Sequence, residues 1–287
     1  MAQPSTARTA AQVLSAVAPP LAVELGYRAF RRVGTPATVR PVDMDVHARA
    51  RRGEVVLHGH RVVTYAWGDV AAPPVMLVHG WQLRASRFGT LVRALESSGL
   101  RPVAFDGLAH GDSGGRSNTV VDHMAAMRAV QEVEGRFAGV VGHSLGGLAA
   151  GLALHDDFAA DRFVAVAAPV GFDAVTEAFM RLAGLPPRLA DLLRRRIARG
   201  LFPHVPDPRS TLDLAANPVP EDVPTIFVQD KADLMSGPDQ ARRLHAAHPG
   251  SRLILTDGLG HNRILDDAVV VGAIVEHVTA KASAPTK

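Results

Sequence analysis

The sequence predicts an α/β protein built around a mostly parallel sheet. From residue 54 onward, short β-branched runs alternate with helical stretches, and most of these runs are apolar throughout. Continuous apolar runs of this length are typical of parallel strands that helices cover on both faces. The alternation of strands and helices indicates the same architecture.

The predicted strands and helices follow one another along most of the chain. Strands are expected at 54–58, 61–67, 75–79, 102–106, 138–143, 163–168, 225–229 and 251–255. Helices are expected at 86–98, 120–135, 144–155, 239–248 and 266–280. The first two strands flank Gly59–His60, which we expect to form a two-residue hairpin turn.

One long insertion interrupts the alternation. Residues 170–222 contain two helical stretches and a proline-rich return but no convincing strand, which predicts a helical cap over one end of the sheet. The cap belongs to a domain expected over residues 51–280. Residues 1–50 are expected to form a helical or irregular arm, and residues 281–287 a flexible tail.

The composition excludes several classes of protein. Apolar residues make up 47% of the 287 residues and charged residues 21%, which is typical of a globular chain. The net charge of only +3 argues against a nucleic-acid partner. The absence of cysteine excludes disulfides, thiolate metal sites and a cysteine nucleophile.

The sequence predicts neither an integral membrane segment nor export. No stretch approaches the ~20 uncharged apolar residues that cross a bilayer. The apolar residues 10–24 are interrupted by Pro19 and Pro20, and only Arg8 precedes them, so they make no convincing signal peptide. We therefore expect a cytoplasmic protein.

The segment around Ser144 carries the strongest chemical signal. An apolar strand runs into Gly142-His143-Ser144-Leu145-Gly146, and an alanine- and leucine-rich helix follows at once. This G-x-S-x-G pattern between a strand and a helix is typical of a turn that presents a nucleophilic serine. The turn strains the serine backbone, and glycines on both sides remove side chains that would collide there.

A serine nucleophile needs a base and an acid, which should follow it along the chain at strand ends. Asp233 lies just past the strand at 225–229, and His261 lies just past the last strand after two glycines. Asp173 is an alternative acid, placed after the preceding strand. Asp230 is expected to brace the turn instead.

Acyl transfer also needs hydrogen-bond donors for the oxyanion. The N–H of Leu145, directly after the nucleophile, is one candidate. The second is the N–H of Trp81, in the loop after the third strand.

Five motifs make the chain resemble the α/β-hydrolase superfamily, and in particular its capped serine esterases and lipases. They are HGW (79–81), DGLAHGDSGG (106–115), GHSLGG (142–147), QDKAD (229–233) and GLGH (258–261). The resemblance covers roughly residues 54–280. It implies an eight-stranded sheet, a Ser–His–Asp triad and no cofactor or metal.

These observations predict a serine hydrolase that cleaves a small-molecule carboxylic ester with a small or medium-sized apolar acyl group. The same triad also supports thioesterase, lactonase, amidase, acyltransferase and C–C hydrolase chemistry. A hydrolase-fold binding protein with little turnover is the alternative from another class. The substrate pocket is expected to include Phe172, Phe179, Met180 and Met235. The oligomeric state is left open.

Overall fold

A sheet of eight strands runs through the computed structural model, which describes residues 6–280 and the side chains from residue 11 onward. Its order in space is β1-β2-β4-β3-β5-β6-β7-β8. Strands β1 and β2 are antiparallel to their neighbours, and all other pairs are parallel. The strands are β1 Arg51–Leu57, β2 His60–Ala66, β3 Pro74–Val78, β4 Arg101–Phe105, β5 Gly139–His143, β6 Phe163–Val166, β7 Thr225–Asp230 and β8 Arg252–Thr256. The predicted α/β fold with a mostly parallel sheet is confirmed.

Helices connect most of the strands. In chain order they are α1 Thr6–Val17, α2 Pro19–Phe30, α3 Met44–Arg49, α4 Gly89–Ser97, α5 Val120–Glu134, α6 Leu145–Asp156, α7 Phe172–Ala183, α8 Ala190–Leu201, α9 Pro208–Thr211, α10 Pro238–Ala247, α11 Gly260–Arg263 and α12 Ala268–Thr279. Among residues 6–280, no helix combines the length and apolar character that crossing a membrane requires.

The hairpin turn between β1 and β2 lies one residue earlier than the sequence analysis expected. Leu57 pairs with His60, so the two turn residues are His58 and Gly59. Both have positive φ, 51° and 76°. Two-residue hairpin turns of this type need positive φ at both positions, and only the glycine was recognisable in advance.

Both faces of the central strands are buried. In β3, Met76 and Val78 belong to one apolar cluster, while Val75 and Leu77 belong to a second cluster on the opposite face. This split follows from the two-residue period of a strand. Helices therefore cover the sheet on both faces, as continuous apolar runs predict.

Helices α7, α8 and α9 lie between β6 and β7, where the sequence predicted an insertion over residues 170–222. Helix α2, from the N-terminal part of the chain, packs against α8. Its buried residues include Val23 and Tyr27. The predicted tail at 281–287 lies outside the described residues.

The parallel strands place four loops at one edge of the sheet. Strands β3, β5, β7 and β8 all run in the same direction, so the loops that follow them meet at their carboxyl ends. Those loops carry the sequence-predicted site residues Trp81, Ser144, Asp233 and His261. Ligands of open α/β sheets bind at this edge.

Candidate active site

Ser144 occupies a strained turn between β5 and α6. Its backbone has φ 53° and ψ −123°, and its N–H donates to the Val166 carbonyl at 2.8 Å. Non-glycine residues rarely adopt positive φ, and such strain clusters at functional sites. A Cβ on Gly142 would collide with the backbone oxygen of Gly146, and one on Gly146 with that of Val78. Glycine is therefore required on both sides of the serine.

Asp233 lies in the loop after β7 and is almost completely buried. Its Oδ1 accepts hydrogen bonds from the N–H groups of Met235 at 2.7 Å and Ser236 at 3.1 Å, and its Oδ2 accepts from Gln229 Nε2 at 2.9 Å. Burial acts to raise the pKa of this carboxyl. Its hydrogen bonds with His261 and the backbone outweigh burial and hold the pKa below its ordinary value.

His261, on the short helix α11, joins the aspartate to the serine. Its Nδ1 lies 2.8 Å from Asp233 Oδ2, and its Nε2 lies 3.0 Å from Ser144 Oγ. A carboxylate can only accept, so Nδ1 carries the proton and Nε2 is free to accept from the serine hydroxyl. The structure thus brings together the three side chains that the sequence analysis singled out.

The alternative acid, Asp173, has other partners. It lies on α7 and forms ion pairs with Arg194 at 3.1 Å and Arg209 at 2.6 Å. Asp230 braces the loop that carries His261, because it accepts from the N–H groups of Leu259 and Gly260 at 3.0 and 2.9 Å.

The loop after β3 passes directly over Ser144. A Cβ on Gly80 would lie 2.8 Å from the serine Cβ, so only glycine fits there. The next N–H, that of Trp81, has no acceptor among the described residues, and neither has the N–H of Leu145. Trp81 and Leu145 both line the cavity that contains Ser144.

Buried neutral histidines hold these loops in place. His79 donates from Nδ1 to the Gly80 carbonyl and accepts the Gly107 N–H at Nε2, both at 2.8 Å. His143 donates from Nε2 to the His261 carbonyl at 2.8 Å. Burial lowers the pKa of His79 and of His143 to about 3, and it also lowers the pKa of His110 and His123. At neutral pH they act as hydrogen-bonding groups without charge.

The sequence analysis missed the ionic support behind His261. Arg87 donates to the Asn262 carbonyl at 2.5 Å and to Asp266 at 2.9 Å. Arg40 reaches the same Asp266 at 2.9 Å from the N-terminal part of the chain. Neither arginine belongs to a motif, so no local signal distinguished them from the other arginines.

A cavity of about 440 Å³ opens beside the Ser144 hydroxyl. This volume is within the usual range for small-molecule sites. Its inner wall is buried and apolar, and includes Val120, Leu148, Phe202 and Leu212. Among residues 6–280, no group of three or more histidine or carboxylate side chains is arranged to hold a metal ion.

Three of the four predicted pocket residues line this cavity, namely Phe172, Phe179 and Met235. Met180 does not, and is instead buried in the core. The physical reason is helical geometry, because Met180 is rotated by about 100° from Phe179 along α7. The expectation for Met180 was therefore wrong.

The N-terminal part of the chain also lines the cavity, which the sequence analysis did not foresee. Ala29, Phe30 and Arg32 contribute to its wall. The sequence analysis expected only a helical or irregular arm over residues 1–50. Nothing in the sequence indicated which surface that arm would cover.

Comparison with known proteins agrees with this architecture. A model of the alpha/beta hydrolase family matches residues 75–273. A human serine hydrolase-like protein is 32% identical over 99 residues, which is 33% of this chain and 48% of the human protein. The matched part therefore spans about half the length of that relative.

Solved structures share the fold at low sequence identity. An esterase of Pyrococcus furiosus superimposes with a TM-score of 0.63 and 20% identity, covering 86% of this chain and 97% of the esterase. A monoacylglycerol lipase of Paleococcus ferrophilus gives a TM-score of 0.55 and 24% identity, covering 76% of this chain and 98% of the lipase.

Proposed function

Because the chain belongs to the alpha/beta hydrolase family, we propose that it hydrolyses carboxylic esters of small or medium-sized apolar acyl groups through an acyl-enzyme on Ser144. One observation carries the proposal. The hydrogen-bonded series Asp233–His261–Ser144, with distances of 2.8 and 3.0 Å, ends at a strained serine in an apolar cavity.

In the proposed first half-reaction, Ser144 Oγ attacks the ester carbonyl carbon while His261 Nε2 takes the hydroxyl proton. Asp233 orients the imidazole and stabilises its protonated form. The N–H groups of Trp81 and Leu145 stabilise the tetrahedral oxyanion. When the C–O bond breaks, His261 returns its proton to the departing alkoxide, which leaves an acyl group on the serine.

The second half-reaction repeats these steps with water. His261 accepts a proton from the water molecule that attacks the acyl carbonyl. The new tetrahedral intermediate collapses, the carboxylic acid departs, and the proton returns to Ser144 Oγ. The apolar inner wall at Leu148, Phe202 and Leu212 favours a substrate with an uncharged hydrocarbon group in this part of the cavity.

The test is hydrolysis of p-nitrophenyl esters from acetate to palmitate by the wild type and by Ser144→Ala. We expect the substitution to lower kcat by at least about 10³-fold while the protein stays folded. The matched control is Ser98→Ala, which truncates an exposed serine directly after α4 and should leave kcat unchanged.

Each result separates the alternatives. Hydrolysis that survives in Ser144→Ala would rule out this nucleophile. A wild type that hydrolyses no oxygen ester but does cleave thioesters or lactones would redirect the proposal to those substrates. Ligand binding without turnover of any acyl compound would favour a binding protein.

A further inference from the structure

The last turn of α2 and the residues after it border the cavity, although they lie outside the segment that matches the family model. We propose that Phe30 is a specificity-determining residue that, together with Phe179, limits the length of apolar chain that the site accepts. This inference rests on the proposed function, because it concerns the substrate of the same cavity.

The two phenylalanines form one aromatic wall. Their ring centroids lie 5.2 Å apart with an interplanar angle of 89°, the edge-to-face arrangement that aromatic pairs favour. Both side chains line the cavity and both are half-buried. The pair joins α2 to α7 across a sequence separation of about 150 residues, so two distant segments of the chain form this side of the cavity.

The wall stands toward the open end of the cavity. Helix α7 presents one face along it, from the buried Phe172 to Leu182, which is 65% exposed. At 1.5 Å per residue, Phe179 lies about 10 Å along the helix from Phe172. A chain that extends from the buried end along this face of α7 therefore meets Phe179 and, beside it, Phe30.

The segment that carries Phe30 is fixed on both sides of that residue. Before it, the Tyr27 ring packs under the Arg196 guanidinium of α8, at 3.6 Å from the ring centroid. After it, the Val33 side chain is buried, and the Val33 carbonyl accepts a hydrogen bond from Gln82 Nε2 at 2.9 Å. The chain on both sides of Phe30 is thus anchored, to α8 before it and to the loop after β3 beyond it.

The test measures binding without turnover. Ser144→Ala protein is titrated with straight-chain primary alcohols from butanol to dodecanol, and tryptophan fluorescence reports occupancy. The chain has two tryptophans, of which Trp81 lines the cavity and Trp67 is buried outside it. Each methylene that leaves water should lower Kd by about fourfold until the chain meets the wall.

We expect the decrease in Kd with each added methylene to stop at an alcohol chain length that depends on residue 30. In Phe30→Ala the limit should move to alcohols about two to four carbons longer, and in Phe30→Trp to shorter ones. Phe30→Leu is the milder variant if Phe30→Ala folds poorly. The matched control is Leu25→Ala, an exposed α2 position that does not line the cavity, which should leave the limit unchanged.

An identical limit in wild-type, Phe30→Ala and Phe30→Trp backgrounds would overturn the proposal. Failure of the proposed function appears separately, as an absence of ester hydrolysis, and does not affect the alcohol titration. Where esters are cleaved, the same variants should shift the chain-length optimum of kcat/KM for p-nitrophenyl acyl esters or for alkyl acetates. This shift also shows which side of the scissile bond faces Phe30.

Discussion

The two sides of the cavity are built in different ways. The floor comprises the loops after β3, β5, β7 and β8, which are short segments held by buried or partly buried hydrogen bonds to backbone groups. The roof comprises α7, α8 and residues 19–34. It is held by ring contacts, by an ion pair between Glu24 and Arg196, 172 residues apart, and by the hydrogen bond from Gln82 to the Val33 carbonyl. We therefore expect small displacements to cost more free energy in the floor than in the roof, so that residues of the roof can change with less effect on the catalytic geometry.

The largest loss of stability should come from a substitution that adds a side-chain atom to a tightly packed position in the floor. In Gly146→Ala the added Cβ collides with the Val78 carbonyl oxygen and would lie 2.6 Å from that of His79. Because these are backbone atoms of a central strand and its loop, they cannot move aside. We expect the free energy of unfolding to fall by about 3–5 kcal/mol, with loss of ester hydrolysis.

Gly237→Ala is the matched control for this substitution. Gly237 has φ −69°, and a Cβ there meets nothing within 4 Å. Chemical denaturation of both variants gives the comparison. Equal free energies of unfolding in Gly146→Ala and Gly237→Ala would contradict the prediction that the backbone around Gly146 cannot move aside.

A second prediction concerns the protonation at acid pH of His143, which supports the floor through its hydrogen bond to the His261 carbonyl. His143 has a pKa of about 3 in the folded protein, below its ordinary value of 6.5, because burial disfavours its charged form. As the pH falls, this histidine therefore binds a proton in the unfolded chain before it does so in the folded protein. The free energy of unfolding that His143 contributes above pH 6.5 is consequently lost between pH 6.5 and pH 3. The shifted pKa of His143 alone should lower the free energy of unfolding by on the order of 3 kcal/mol between pH 7 and pH 4.

His143→Gln removes that titration but can still donate to the His261 carbonyl. The decline in the free energy of unfolding between pH 7 and pH 4, measured by urea denaturation, should be smaller in this variant by about the same amount. His60→Gln, at an exposed position in β2, is the control and should retain the wild-type slope. Parallel pH profiles for wild type and His143→Gln would argue against this prediction.

The smallest effect should come from the roof. Tyr27→Leu keeps an apolar side chain against α8 but removes the ring face beneath the Arg196 guanidinium. We expect the midpoint of thermal unfolding to fall by roughly 2–4 °C. Tyr27→Phe retains the ring and should unfold close to the wild-type temperature. A drop as large as that of Gly146→Ala would show that the roof is as rigid as the floor.

The floor was largely predictable from the sequence because its residues lie next to strand ends. A strand can be recognised from a few neighbouring residues, and parallel topology then brings Ser144, Asp233 and His261 to one edge. The hairpin turn was misplaced by one residue because His58, which is not a glycine, adopts positive φ. Its side chain carried no signal of that conformation.

The roof was less predictable because its contacts join segments far apart along the chain. Met180 and Phe179 are equally apolar, and a rotation of about 100° on α7 decides which one reaches the cavity. The contact of Phe30 with Phe179 depends on how α2 docks against α8. Local propensity does not determine such docking.

The link between Arg40 and Asp266 has a consequence for local unfolding. Asp266 accepts from Arg40 and Arg87, and Arg87 also holds the carbonyl of Asn262, the neighbour of His261. Opening of the loop around His261 must therefore break contacts to a segment 226 residues earlier in the chain. The amide protons of both segments should then exchange with solvent as one cooperative unit, although one segment lies near each end of the described chain.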